Sequence, residues 1–205
     1  MTRCARSSNV PSSGADDPIL AATLERLWSP PVAVTAADGG RANGLIASTA
    51  VTASLLPEAP RVALILAKAS FTHDLVLASD ALALHLLAAI PDSALARSLE
   101  IFRVLGMRSG HDGEKLETIP YRPGVTGSPI LEEALSYVEA RVATSLDGGD
   151  VTVVVADVVA GEVLRDGTPL TIDVVRDRLP GEWLREWEER RVREITEARL
   201  RRASA

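Results

Sequence analysis

Short runs of apolar and β-branched residues, broken by Gly, Asp and Pro, dominate the chain from Val32 to Val159. Val32-Ala33-Val34-Thr35 and Gly44-Leu45-Ile46-Ala47 flank Asp38-Gly39-Gly40-Arg41. Residues able to adopt positive φ thus separate two strand-prone runs, which predicts a hairpin. Arg61 to Ala67 is apolar at nearly every position and predicts a strand buried on both faces. Ser70 to Ser79 reads as a short helix and Ala81 to Ala88 as a further strand. Pro91 to Leu105 carries Leu95, Leu99, Phe102 and Leu105 at spacings of three and four, the stripe of a helix facing a core. A polar, Gly-rich loop follows from Gly106 to Gly113. Tyr137 to Leu146 alternates, with Val138, Ala140, Val142 and Thr144 on one face and Glu139, Arg141 and Ala143 on the other. Asp147-Gly148-Gly149-Asp150 turns that run into Val151 to Val159, again densely β-branched. Strands joined mostly as hairpins, with helices inserted, predict a mainly β antiparallel barrel rather than an alternating parallel sheet.

The two ends differ in kind. Residues 1–16 have almost nothing to bury and predict a tail. Asp17 as N-cap and Pro18 as first helical residue open a short helix through Ile19, Leu20, Leu24, Leu27 and Trp28, ending at Ser29-Pro30-Pro31. Beyond Pro180-Gly181, Glu182 to Arg202 predicts a long amphipathic helix, with Glu186/Arg190, Glu189/Arg193 and Glu197/Arg201 at i,i+4. Trp183 and Trp187 lie one turn apart on it, so its apolar stripe covers something: the protein's own barrel, or a second subunit. The chain therefore divides into a tail (1–16), one core domain (17–165) and a C-terminal extension (166–205).

With 205 residues, 46% of them hydrophobic, the chain suffices for one sizeable core. A net charge of −6 opposes adsorption to nucleic acid or an anionic membrane, and neither is expected as a partner. No apolar run approaches the roughly 18 residues of a membrane span. The opening residues lack a signal-peptide core, and a single cysteine, Cys4, fits a reducing compartment, so a soluble cytoplasmic protein is expected.

Most catalytic signatures are missing. His73, His85 and His111 lie far apart with no second ligand at a metal-binding spacing, so no metal site is expected, and His85, inside a strand, reads as structural. No nucleophile elbow, P-loop or dinucleotide fingerprint occurs. Glu132-Glu133 read as a solvated face on a short helix. What remains is a pair of hydroxyl-rich segments that each follow a strand. Ala47-Ser48-Thr49 and the residues through Ser54-Leu55 combine small side chains with Ser48, Thr49, Thr52 and Ser54, so a flat ligand can approach backbone N–H groups. Lys68-Ala69-Ser70-Phe71-Thr72 opens a helix, where an N-terminus, two hydroxyls and a cation favour an anion.

The ordered series Gly40-Arg41-x-Asn43-Gly44, Ala47-Ser48-Thr49, Thr52-x-Ser54-Leu55-x-Pro57, Lys68-x-Ser70-x-Thr72, Gly127-x-Pro129-Ile130-Leu131 and Gly149-Asp150 resembles the flavin reductase-like, FMN-binding split-barrel family over about residues 28–164. The resemblance implies a Greek-key split β-barrel that forms a homodimer. It also implies FMN or FAD near the subunit interface and a hydride supplied by NADH or NADPH. Reduced flavin would pass to a partner monooxygenase or be used in place. By position, Ala47, Ser48 and Thr49 would meet the flavin ring and its ribityl-phosphate arm. Ser54 and Leu55 would lie along the ring edge, and Lys68, Ser70 and Thr72 on the phosphate side. No residue is assigned a catalytic role, since the cofactor carries the chemistry. Two positions depart from the family pattern: Val151 stands where many of these reductases have His after Gly-Asp, and Ala50 where an aromatic is usual. The leading expectation is an FMN-dependent oxidoreductase of the flavin reductase type. Its alternatives are a flavin-binding barrel without nicotinamide-dependent activity, and a barrel without flavin that interacts through the Trp183/Trp187 helix.

Overall fold

The computed structural model describes residues 30–108, 110 and 113–203, so Cys4, His111, the expected tail and the helix expected over Ile19 to Trp28 lie outside the described residues. In chain order the elements are β1 (Val32–Asp38), β2 (Arg41–Ala47), β3 (Ala50–Thr52), β4 (Arg61–Ala67), α1 (Phe71–Ser79), β5 (Ala81–Leu86) and α2 (Asp92–Met107). A 3-10 turn (Lys115–Thr118), β6 (Tyr121–Pro123), β7 (Pro129–Leu131), β8 (Ser136–Asp147), β9 (Val151–Val163), α3 (Ile172–Arg178) and α4 (Gly181–Ala203) follow. The β1–β2 hairpin closes through Gly39 and Gly40 at φ 56° and 79°, the positive values a two-residue turn requires.

Seven strands form one antiparallel sheet in the order β2-β1-β5-β8-β9-β4-β3, with β6 and β7 as a separate hairpin. Its first and last strands, β2 and β3, are consecutive in the chain and joined only by Ser48 and Thr49. Six strand spacings laid flat would part them by roughly 29 Å. Two linking residues reach only about 11 Å from Ala47 to Ala50. The sheet must curl until its edges meet at that end, which makes it the antiparallel barrel that the hairpin pattern predicts, split as the resemblance implies.

Two cores result. Inside the curl lie Val32, Val34, Leu64, Leu66, Leu82, Leu84 and Val154, closed by Leu75 and Val76 of α1. On the outer face, Leu95, Leu99, Phe102 and Leu105 of α2 pack with Ala33, Leu87 and Val175, as the helical spacing predicts. β1, second in the sheet, is accordingly buried on both faces from Val32 to Ala36. β4 is not, contrary to expectation: Leu64 and Leu66 point inward, but Ile65 is 39% exposed because α2 covers only the β1–β2 side of the sheet. The same outward face carries Val51, 54% exposed.

Glu139 also differs from the reading of its alternation. Its carboxylate is buried and accepts from the Val125 and Thr126 N–H groups at 3.1 and 2.8 Å and from the Thr126 hydroxyl at 2.7 Å. The β6–β7 loop wraps over the outer face of β8, and Gly124 lies so near Glu139 that a Cβ there would fall 2.3 Å from Oε2. Glu132 and Glu133 lie in a turn, not a helix, with Glu133 paired to Arg97 at 3.3 Å. The α3 helix and the β6–β7 hairpin carry too few apolar positions to show a period. The long C-terminal helix forms as expected, and Trp183 and Trp187 cover the protein's own α2. The Arg103 guanidinium lies 4.3 Å over the Trp183 ring, and Phe102 meets Trp187 edge-on with centroids 5.6 Å apart. Farther along α4, Arg190 pairs with Glu194 at 2.8 Å, one turn beyond the pairing with Glu186 that spacing suggested. No helix among the described residues is long and apolar enough to cross a membrane.

His85 is the structural residue its strand position suggests. Fully buried, it accepts from the Leu131 N–H at Nε2 (3.1 Å) and donates from Nδ1 to the Ala33 carbonyl (3.2 Å). Burial lowers its pKa to about 4 against the opposing pull of Ala33 and Glu139. The native state keeps the ring neutral while an unfolded chain protonates it near 6.5. Its contribution is therefore complete above that pH and is lost as pH falls toward 4, to a limit of about 3 kcal/mol. Urea unfolding of His85→Gln should accordingly lose less stability between pH 7 and pH 4.5 than the wild type does. Equal losses would contradict this assignment.

Candidate cofactor site

The seam of the curled sheet brings the two hydroxyl-rich segments together. Ala47 ends β2 with its side chain in the inner core, while Ser48 and Thr49 are exposed. The Thr49 carbonyl accepts from the Ile65 N–H at 3.2 Å, so the link lies alongside the end of β4. Ala67 pairs with Val151, and the Lys68 N–H donates to the Asp150 carbonyl at 3.1 Å. One corner of the barrel thus gathers Ala47–Thr49, Ala67–Ser70 and Asp150–Val151.

Each expected residue there has a definite local role. Ser70 caps α1, its Oγ accepting from the His73 N–H at 3.1 Å. Thr72 is buried in the first turn of α1. Lys68 donates from Nζ to Asp147 Oδ1 at 2.5 Å, and that ammonium, together with the Gly149 N–H, holds the Asp147 carboxyl below the usual range. Ser54 and Leu55 are not in this corner. They follow the far end of β3, where Ala53 pairs with Arg61, a strand length of roughly 20 Å from Ala67. The Ser54 hydroxyl accepts from the Leu56 N–H at 3.1 Å, and Leu55 is fully exposed.

Among the described residues no imidazole stands at Val151 in place of the His that the family resemblance leads one to expect there. Half-buried Val151 lines a small cavity of about 200 Å³ with Asp150, Ala67, Ala69 and α4. His73 is one residue away, its Nε2 2.9 Å from the Thr152 hydroxyl and its Nδ1 2.9 Å from Asp74, but it is buried on the inward face. His85 lies on β5, two strands away from β9, against β1 and β7. Among the described residues no group of three His, Cys, Asp or Glu is placed to hold a metal.

A larger cleft of about 700 Å³ opens between this corner and α4, bounded by Ala69, Ser70, Arg108, Lys115, Arg190 and Glu194 among others. A cavity of that size accommodates a nucleotide-sized ligand. Sequence reasoning missed Lys115. It follows the polar loop, yet its Nζ donates to the Leu105 and Gly44 carbonyls at 2.9 and 3.0 Å and the residue is 5% exposed. Burial lowers its pKa to about 7, neighbouring Arg190 adding to the effect and Glu194 opposing it. A lone lysine among polar residues has no periodicity to betray it, and its burial depends on how the chain returns from α2 to β2. Beyond its tryptophans, α4 is tethered by Arg190 to the Arg108 carbonyl and near its end by Arg202 to Asp150 at 2.6 Å.

Residues 24–175 match the model of the flavin reductase-like domain. Over 139 residues the chain is 32% identical to the ferric-chelate reductase (NAD(P)H) of Archaeoglobus fulgidus, spanning 67% of this chain and 78% of that one. In fold it is similar to nitrilotriacetate monooxygenase component B from Mycobacterium thermoresistibile (TM-score 0.60, 22% identity, 72% of this chain and 75% of the other). It is likewise similar to an FMN-binding protein from Thermus thermophilus (TM-score 0.58, 21% identity, 80% and 82%). With three quarters of its length inside one family model and its sheet curled as in these structures, the chain belongs to the flavin reductase-like domain family.

Proposed function

We propose that this protein is an NAD(P)H-dependent flavin reductase that takes FMN, or FAD, at the barrel seam. The observation that carries the reading is the convergence of Ser48-Thr49 and Ala67–Ser70 at one corner, in a chain of this family. The donor set fits the cofactor. Small residues leave the backbone of the Ser48-Thr49 link open to a flat ring, and the α1 N-terminus offers N–H groups to a phosphate. When bound, a flavin accepts a hydride from a reduced nicotinamide and passes electrons onward. Ser48 and Thr49 would hold the ring and its side arm, and Ser70 would present the helix N-terminus. Ser54 and Leu55 would reach a flavin ring edge only from the far end of β3, so their contribution in this reading comes across a subunit interface. Thr72 supports the turn from within, and Lys68 sets the Asp147 turn beside it. Val151 presents an apolar surface and neither holds nor moves a proton, so the chain's contribution is position and exclusion of water.

The Archaeoglobus fulgidus relative is named as an NAD(P)H-dependent ferric-chelate reductase and the Thermus thermophilus neighbour as FMN-binding, which supports both halves of the reading. The Mycobacterium thermoresistibile neighbour is a monooxygenase component, and a partner monooxygenase is the acceptor this proposal carries. Val151 favours a second reading, a flavin carrier without nicotinamide turnover. Burial of Trp183 and Trp187 on α2 removes the motive for a third, an interaction module built on those rings.

The proposed assembly is a homodimer of this chain. Ile65 pairs with Val153 and Val153 with Leu146, giving an outward apolar row across β4, β9 and β8, where Leu146 is 67% exposed. A second copy covering this row would extend each barrel's seam toward the other's β3–β4 loop, the loop that carries Ser54 and Leu55.

Two measurements test these assignments. Anaerobic protein with catalytic FMN should bleach flavin absorbance with NADH or NADPH well above the rate of free flavin. Stoichiometric binding with no such rate would leave the carrier reading. In sedimentation equilibrium the wild type should run as a dimer and Ile65→Asp as a monomer, and a monomeric wild type would reject the interface.

A further inference from the structure

The chain has two lysines, Lys68 and Lys115, and sequence position alone singles out Lys68 for a phosphate. The structure points elsewhere. Lys68 is committed to Asp147, and the cleft beside Ser70 is lined by its neighbours Ala67 and Ala69 and by Lys115. We propose that Lys115 is the phosphate-binding residue of this protein, and that the cleft under α4 receives the phosphate end of the flavin nucleotide. The inference rests on the flavin reading above and adds to it a residue and a wall, because α4 lies beyond the matched family domain.

The chemistry follows from the ammonium's surroundings. An ammonium carries three donors. Among the described residues two are spent, on the Gly44 and Leu105 carbonyls, and the third is the one this proposal gives to a ligand in the cleft that the residue lines. Ser70 at the α1 N-terminus lines the same cleft, so a cation and the positive end of a nine-residue helix bound one space. These are separate sources of positive potential, one from the return of α2 to β2 and the other from the turn after β4.

Other charges face the cleft as well. α4 contributes Arg190, Arg193, Glu186, Glu194 and Glu197, the end of α2 contributes Arg108, and Lys115's own turn contributes Glu114 and Glu117. Glu194, Glu197, Glu114 and Glu117 are exposed and screened by solvent, whereas Lys115 is buried, so the inner end of the cleft responds chiefly to its protonation. With its pKa near 7, Lys115 is mostly neutral at pH 8, and a phosphate dianion would draw a proton onto it. Binding of the phosphorylated ligand is thereby coupled to proton uptake, and binding of its unphosphorylated counterpart is not.

The experiment compares FMN with riboflavin, which share the ring and differ in the phosphate. Titration calorimetry of full-length protein at pH 8 in two buffers of different ionisation heat reads the protons taken up, and at that pH the free phosphate, with a second pKa of about 6, is already ionised. FMN should bring uptake approaching one proton and riboflavin none. Lys115→Met should weaken FMN at least about tenfold while leaving riboflavin within about twofold, and Lys115→Arg should retain FMN binding without proton uptake. If Lys115→Met does not fold, the wild-type proton count decides. No difference in uptake between the two ligands, or an undiminished preference for FMN in folded Lys115→Met, overturns the proposal. Failure of the wild type to bind either flavin overturns this proposal and the functional reading together.

Discussion

Ser48 and Thr49 join the two outermost strands of a seven-stranded sheet, and most of the molecule follows from that short link. A pair of residues cannot span a flat sheet of this width, so the strands curl and the edges converge where the link lies. Convergence brings the ends of β2 and β4 to one corner, and the pairing of Ala67 with Val151 adds the start of β9. Small side chains suit such a seam because bulk there would force the edges apart. Ser48 and Thr49 are themselves exposed, so the closing device and the candidate binding surface are one feature.

The core explains why the corner holds its shape. α1 fills the inside of the curl with Leu75 and Val76, while α2 lies across the outer face of β1 and β2 through Leu95, Leu99, Phe102 and Leu105. Three buried polar side chains tie these layers together: His85 joins β5 to β1 and β7, Glu139 anchors the β6–β7 loop, and Lys115 ties the segment after α2 back to β2. Unpaired, each would carry a desolvation penalty, so their partners fix how the loops return. α4 adds an outer wall whose two ends differ in physics. Trp183 and Trp187 anchor it by apolar burial, and Arg190 and Arg202 hold the part beyond them by charged contacts that salt weakens.

Local patterning made much of this fold legible. Gly39-Gly40 announced the first hairpin, the Leu95 to Leu105 spacing announced α2, and the aligned motifs led to the family. Burial was harder to read, because it is a property of the assembled layers. Ile65 belongs to a run as apolar as β1, yet only β1 has a helix over its second face. Glu139 occupies an outward strand position that a distant loop happens to cover. Within the site, Ser48, Thr49 and Ser70 could be found as hydroxyls after strands, and the structure brings them to the same corner. Ser54 and Leu55 belong to the same motif but sit at the other end of β3, a separation that strand direction dictates and motif order does not record. Lys115 had no local signal at all.

The proposed place of the cofactor is the seam. Amide chemical-shift mapping of the isotope-labelled protein during an FMN titration tests it most directly. The largest perturbations should fall on Ser48, Thr49, Ala69 and Ser70, on opposite sides of the link between β2 and β4. Perturbations confined to the β6–β7 hairpin, or their absence on well-folded protein at saturating FMN, would contradict it.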